Sequence, residues 1–187
     1  MPGVVEVATS FITGAKLAIK VRDTLRELVP KPPTELEKYH TWFQCTVYNA
    51  TQFQIMITDI YLNSGKFFET PKGVDGFKTM EFSGSNGDHN PAGVSLGSSF
   101  RLYLDSTHFF DFSVGLTAPL AGSYKAGVVE SADPKAGYEA ALQKGLAIHS
   151  ENTYISKDED GNEQVIMFHV SAFPGKHISI EIRQIIV

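Results

Sequence analysis

Apolar and polar positions follow two rhythms along this chain, one over the first 29 residues and another after them. At about 100° per residue, Val4, Val7, Ala8, Phe11, Ile12, Ala15, Ala18 and Ile19 gather on one side of a helix, with Glu6, Thr9, Thr13, Lys16 and Lys20 opposite. From Leu17 onward the apolar set becomes Leu17, Val21, Leu25 and Leu28, a different face. The crossover lies near Gly14, which weakens a helix interior by about 1 kcal/mol against Ala. The pattern predicts an amphipathic N-terminal segment over residues 1–30, packed on the remainder, 31–187, which forms one domain with it. A helix rises about 1.5 Å per residue and the hydrocarbon core is about 30 Å thick, so a fully helical segment is long enough to cross it. Lys31-Pro32-Pro33 then breaks the helix, because proline lacks the backbone donor and restricts its predecessor.

After the breaker the rhythm is that of strands. They are predicted at Thr41 to Tyr48, Gln54 to Asn63, Lys78 to Ser83, Gly93 to Leu104, Phe109 to Leu116 and Ser123 to Val129. Three more follow at Ile148 to Ser156, Gln164 to Ala172 and His177 to Ile186; the last alternates Ile178, Ile180 and Ile182 with Ser179, Glu181 and Arg183. Between the groups, Ser131-Ala132-Asp133-Pro134 supplies an N-cap and a first-turn proline for a second helix over about 133–144. The fold class is therefore all-β: a compact β-sandwich flanked by two α-helices, the N-terminal one amphipathic.

Composition narrows the partners. The chain has 187 residues, 42% of them hydrophobic, enough for one sizeable core. A formal charge of −5 and a pI near 5.6, with no Lys/Arg-rich run, give no footprint for nucleic acid. Residues 1–29 fit a signal peptide poorly, since Lys16, Lys20 and Arg22 interrupt the apolar run, and no other stretch approaches the roughly 18 apolar residues of a membrane span. Cys45, the single cysteine, alternates with Phe43 and Val47 and reads as a core residue.

No pattern points to catalysis, a metal or a cofactor. The six histidines, His40, His89, His108, His149, His169 and His177, show no ligand spacing. Asp158 to Glu163 lacks the ligand order of a calcium loop, and Ser83 to Asp88 lacks the Lys-Ser/Thr ending of a phosphate loop. Asn49-Ala50-Thr51 is a glycosylation triplet that matters only in a secreted chain.

Taken in order, several stretches resemble the actinoporins, the pore-forming cytolysins of sea anemones, and their relatives. They are Ile12-Thr13-Gly14-Ala15-Lys16-Leu17, Val47-Tyr48-Asn49, Tyr61-Leu62-Asn63-Ser64-Gly65, Phe112-Ser113-Val114, Ala132-Asp133-Pro134 leading into Tyr138-Glu139, and the strand His177 to Ile186. The resemblance implies a β-sandwich that binds membrane lipid, releases its N-terminal helix, self-associates on the membrane and forms a pore. It implies a secreted soluble protein that becomes a membrane-bound oligomer; a cytoplasmic location is the alternative, since no signal peptide stands out. By position, Ser64, Ser113, Gly115, Tyr124 and Tyr138 become the headgroup site, Val4, Val7, Ala8, Phe11, Ile12, Ala15 and Ile19 the inserting helix, and Glu6, Lys16 and Lys20 the pore-lining candidates.

The chain departs from the family at that site. Gly115 stands where the family has proline, the loop Thr117 to Lys125 holds only Tyr124, and Leu142 and Gln143 replace tyrosines. Aromatic faces hold quaternary ammonium by about 0.5 to 2 kcal/mol each, so phosphocholine affinity is expected to be low. The helix carries four basic residues, Lys16, Lys20, Arg22 and Arg26, against Glu6, Asp23 and Glu27, which predicts a weaker cation preference for any pore. The alternative function is a non-lytic module that recognises a glycan or lipid headgroup on the same sandwich.

Overall fold

The computed structural model describes residues 3–187; the first two positions of the predicted N-terminal segment, Met1 and Pro2, lie outside the described residues. Its elements run in chain order as β1 (Val4–Glu6), α1 (Gly14–Leu25), α2 (Thr34–Glu37), β2 (Trp42–Ala50), β3 (Ile55–Ser64), β4 (Lys66–Glu69), β5 (Lys78–Ser85) and β6 (Val94–Tyr103). They continue with β7 (Phe109–Ala118), β8 (Lys125–Val129), α3 (Pro134–Leu142), β9 (Ala147–His149), β10 (Thr153–Lys157), β11 (Glu163–Phe173) and β12 (His177–Ile186).

Among the described residues the strands form an eight-stranded sheet in the order β1-β10-β11-β12-β2-β5-β4, with β9 also on β11, and a four-stranded sheet in the order β3-β6-β7-β8. Each strand sends alternate residues inward: Phe43, Cys45 and Val47 of β2 and Ile178, Ile180 and Ile182 of β12 meet Phe100 of β6 and Phe110, Phe112 and Val114 of β7. The stacked rings of Phe100, Phe110, Phe112 and Phe168 form the centre. Cys45 lies in this core, where burial pushes its thiol pKa well up.

Helix α3 crosses the outer face of the smaller sheet where three glycines lie in one row, Gly97 opposite Gly115 and Gly115 opposite Gly127. A Cβ at any of them would collide with backbone of Pro134, Gly137 or Ala141, so the row is a groove cut for the helix. Asp133 caps it by accepting from the Lys135 N–H at 2.9 Å, as the Asp133-Pro134 signal predicts.

Two expectations are corrected, and two short elements, α2 and β4, are additional. The predicted strand Ile148 to Ser156 is two strands, β9 and β10, broken where the Ser150 hydroxyl donates to the Asn152 carbonyl. The amphipathic N-terminal stretch is not one helix: residues 4–6 are a strand and the helix begins at Gly14.

Candidate functional site

The N-terminal segment first extends the edge of the larger sheet and then, as α1, crosses β2 and β12. β1 extends the free edge of β10 in parallel, and the Phe11 N–H donates to the Lys157 carbonyl at 2.9 Å. Val5, Val7, Thr9 and Phe11 therefore alternate inward like any strand. Val7 and Phe11 enter the core, and Phe11 is 0% exposed. Val4, Val7, Ala8, Phe11 and Ile12, expected on a helix, are thus extended chain; an unpaired sheet edge outweighs a local helical period that the same residues also fit.

Two clasps hold this stretch. The Asp105 carboxylate, in the β6–β7 turn, accepts from the Ala8 N–H at 2.9 Å, from the Thr107 and His108 N–H groups, and faces His108 Nδ1 at 2.9 Å. The Ala8 N–H, then His108 and Thr107, hold its pKa well below the usual carboxylate range. Gln52 forms the second clasp, accepting from the Ile12 N–H at 2.9 Å and donating to the Ser10 carbonyl at 2.8 Å.

Helix α1 then lies across β2 and β12, burying only Leu17 and Thr24. This matches Leu17, Val21 and Leu25 of the second apolar face, while Leu28 lies past the helix end at 92% exposure and Ala15 and Ile19 of the first face point to solvent, Ile19 at 52%. The pore-lining candidates have separate places. Glu6 is exposed beside the Asp105 turn, Lys16 pairs with Glu159 at 2.5 Å, and the Lys20 ammonium lies 6.0 Å from the Phe77 ring centre.

The residues assigned to headgroup binding do not form one site. Gly115 is covered by α3, and Ser113 is buried beside it with its hydroxyl donating to the Ser131 carbonyl at 2.8 Å. In the folded chain neither is open to solvent, Gly115 lying against the α3 backbone and Ser113 against Ser131. Tyr138, on α3, faces Tyr61 of β3 with ring centres 5.5 Å apart.

Ser64 and Tyr124 lie at one end of the sandwich, where β2 and β12 begin. Ser64 donates to the Gly93 carbonyl at 2.9 Å, and the Tyr124 hydroxyl donates to the Trp42 carbonyl at 3.2 Å. Around them stand residues that no spacing along the chain groups together. The Lys176 ammonium lies 4.2 Å from the Trp42 ring centre, and His177 meets the same indole at 5.9 Å. Leu120, in the loop after β7, and Phe173, at the end of β11, are exposed at 53% and 48%. The only local signal was their position at strand ends.

Other candidates are structural. Asn49 of the glycosylation triplet is buried, its amide donating to the Phe53 carbonyl at 2.7 Å and the Asp75 carbonyl at 3.0 Å, so the folded chain offers it to no sugar. His149 and His169 are cross-strand neighbours with ring centres 4.6 Å apart. Among the described residues no cluster of three metal-ligating side chains occurs, and no helix is long and apolar enough to cross a membrane.

No family model and no curated protein matches the chain. Among solved structures it is similar to the lipid binding protein Nakanori, at 14% identity over 91% of this chain and 79% of that one, with a TM-score of 0.49. It is also similar to the Xerocomus chrysenteron lectin XCL (11% identity, 77% and 99% covered, TM-score 0.37). IP-1A from Alcaligenes faecalis is a third such structure (14% identity, 78% and 92% covered, TM-score 0.40). At identities this low, and with TM-scores below 0.5, these likenesses assign no function.

Proposed function

We infer that this chain is an actinoporin-like membrane-binding protein whose N-terminal segment leaves the sandwich to enter lipid and, on self-association, lines a pore; its role is non-enzymatic. The observation that carries this reading is the placement of residues 3–25. β1 is the last strand at a sheet edge and α1 lies on an outer face, so both can depart while the sheets from β2 onward keep their pairing. The exposed Ala15 and Ile19 provide apolar surface for lipid on the side of α1 away from the sandwich.

The burial of Phe11 favours the second reading, a non-lytic module that binds a lipid or glycan headgroup with the segment in place. Withdrawing a fully buried phenylalanine opposes release by about 3 kcal/mol or more.

Dye release from vesicles that the chain binds separates the two readings. Ile19→Glu changes an exposed residue and places a charge where the helix would meet hydrocarbon, a penalty of about 2.5 to 3.5 kcal/mol at the centre of the bilayer. Pore formation requires that the wild-type chain release dye and that Ile19→Glu bind without releasing it. Binding without release by the wild type supports the module instead.

A further inference from the structure

We propose that the end of the sandwich where β2 and β12 begin docks on a bilayer of acidic phospholipids and does not read choline; this rests on the membrane-binding reading above. Two of the aromatic faces at this end, those of Trp42 and Tyr39, are already occupied by the chain's own cations. Lys176 covers Trp42 at 4.2 Å, and Lys66 covers Tyr39 at 4.8 Å. A ring face that carries an ammonium of its own has no room for a quaternary ammonium.

What this end does offer is positive charge beside exposed apolar side chains. Lys176 is exposed in the turn after Phe173, and Lys125 opens β8 half-exposed. Asp88 is paired with Lys66 at 2.7 Å, and Lys125 and Lys176 form no ion pair among the described residues, in a chain whose formal charge is −5. The loop Pro119 to Tyr124 carries no charge and presents Leu120. The hydrogen bond from Tyr124 to Trp42 ties that loop to the sheet end bearing Phe173 and Lys176, so apolar tips and ammonium groups share one surface. Ammoniums reach the phosphates and carboxylates of an anionic leaflet while Leu120 and Phe173 enter its interface, a combination that favours a bilayer over a soluble polyanion.

The test is flotation of the full chain with vesicles of phosphatidylcholine alone and of phosphatidylcholine mixed with phosphatidylserine, at low and high salt. Binding is expected only to the mixed vesicles and to weaken with salt. Lys125→Ala should weaken it about fivefold and Lys176→Glu further, with thermal unfolding confirming that both variants fold. A double Leu120→Ala, Phe173→Ala variant should also bind less. Equal binding to both vesicle types, or no response to salt and the lysine variants, overturns the inference and leaves the membrane reading standing. Binding unchanged by the apolar double variant reduces the surface to a soluble anion site and overturns the bilayer as its partner. No binding to either vesicle overturns both readings.

Discussion

Phe11 meets Phe53 edge-on, ring centres 6.2 Å apart and planes at 88°, and Phe53 in turn meets Phe168 of the central stack. The segment expected to reach lipid is therefore pinned through one aromatic side chain to the middle of the core. Phe11→Ala should lower unfolding stability by about 3 to 5 kcal/mol in urea, through lost burial and the cavity left behind. If release is the activating step, the same variant should speed dye release from vesicles at equal binding. A variant that unfolds like the wild type would remove the pin from the account.

Asp105 holds the same segment by its backbone. Its lowered pKa means that the unfolded chain binds the proton more readily, so its contribution is full above the ordinary value of 3.8 and is lost as pH falls through the folded value. Asp105→Asn should accelerate hydrogen exchange at the Ala8 amide and flatten the acid end of the stability profile. An unchanged Ala8 exchange rate would show that the β10 pairing, the Gln52 clasp and the core contacts hold the strand without Asp105.

His169 shifts in the opposite sense for its charge type. Burial, with His149 and Arg183 beside it, lowers its pKa below the ordinary 6.5, while Glu181 opposes the shift. The unfolded chain then takes up the proton first, so stability falls as pH drops from above 6.5 toward the folded value. His169→Gln should remove part of the decline in melting temperature between about pH 7 and pH 5. The difference between the two profiles isolates His169 from Glu81 and Glu130, whose pKa values burial raises.

Gly115 bears on α3. A Cβ there would strike the Gly137 carbonyl, so Gly115→Ala should be destabilising by about 1 to 3 kcal/mol as the helix is forced off the sheet. The comparison is Ala15→Ser, on the solvent side of α1, which should fall within about 0.5 kcal/mol of wild type. Equal effects would mean that the glycine row does not set the helix position.

Strand alternation made most of the sandwich legible. His177 to Ile186 is a strand with the predicted limits because its isoleucines fall on every second residue. The N-terminal stretch misled because Val4, Val7, Ala8 and Phe11 fit a helical stripe while Val5, Val7, Thr9 and Phe11 fit alternation equally well; the free edge of β10, distant in sequence, decides between them. Ser113 and Gly115 were reached by position along β7, but what covers them is set by α3, whose packing depends on glycines in three different strands. The pairing of Lys176 with Trp42 joins the starts of two strands that only the parallel β12–β2 register brings together.

Release of the N-terminal segment into lipid is tested most directly by a polarity-sensitive fluorophore on Ile19→Cys, read with vesicles whose acyl chains carry a quencher. Ile19 is exposed, while Cys45 is fully buried with its thiol pKa pushed well up, so labelling selects the new cysteine. A blue shift and strong quenching on the membrane, concurrent with dye release, are expected. A vesicle-bound chain whose probe keeps its aqueous emission and escapes the quencher would contradict it.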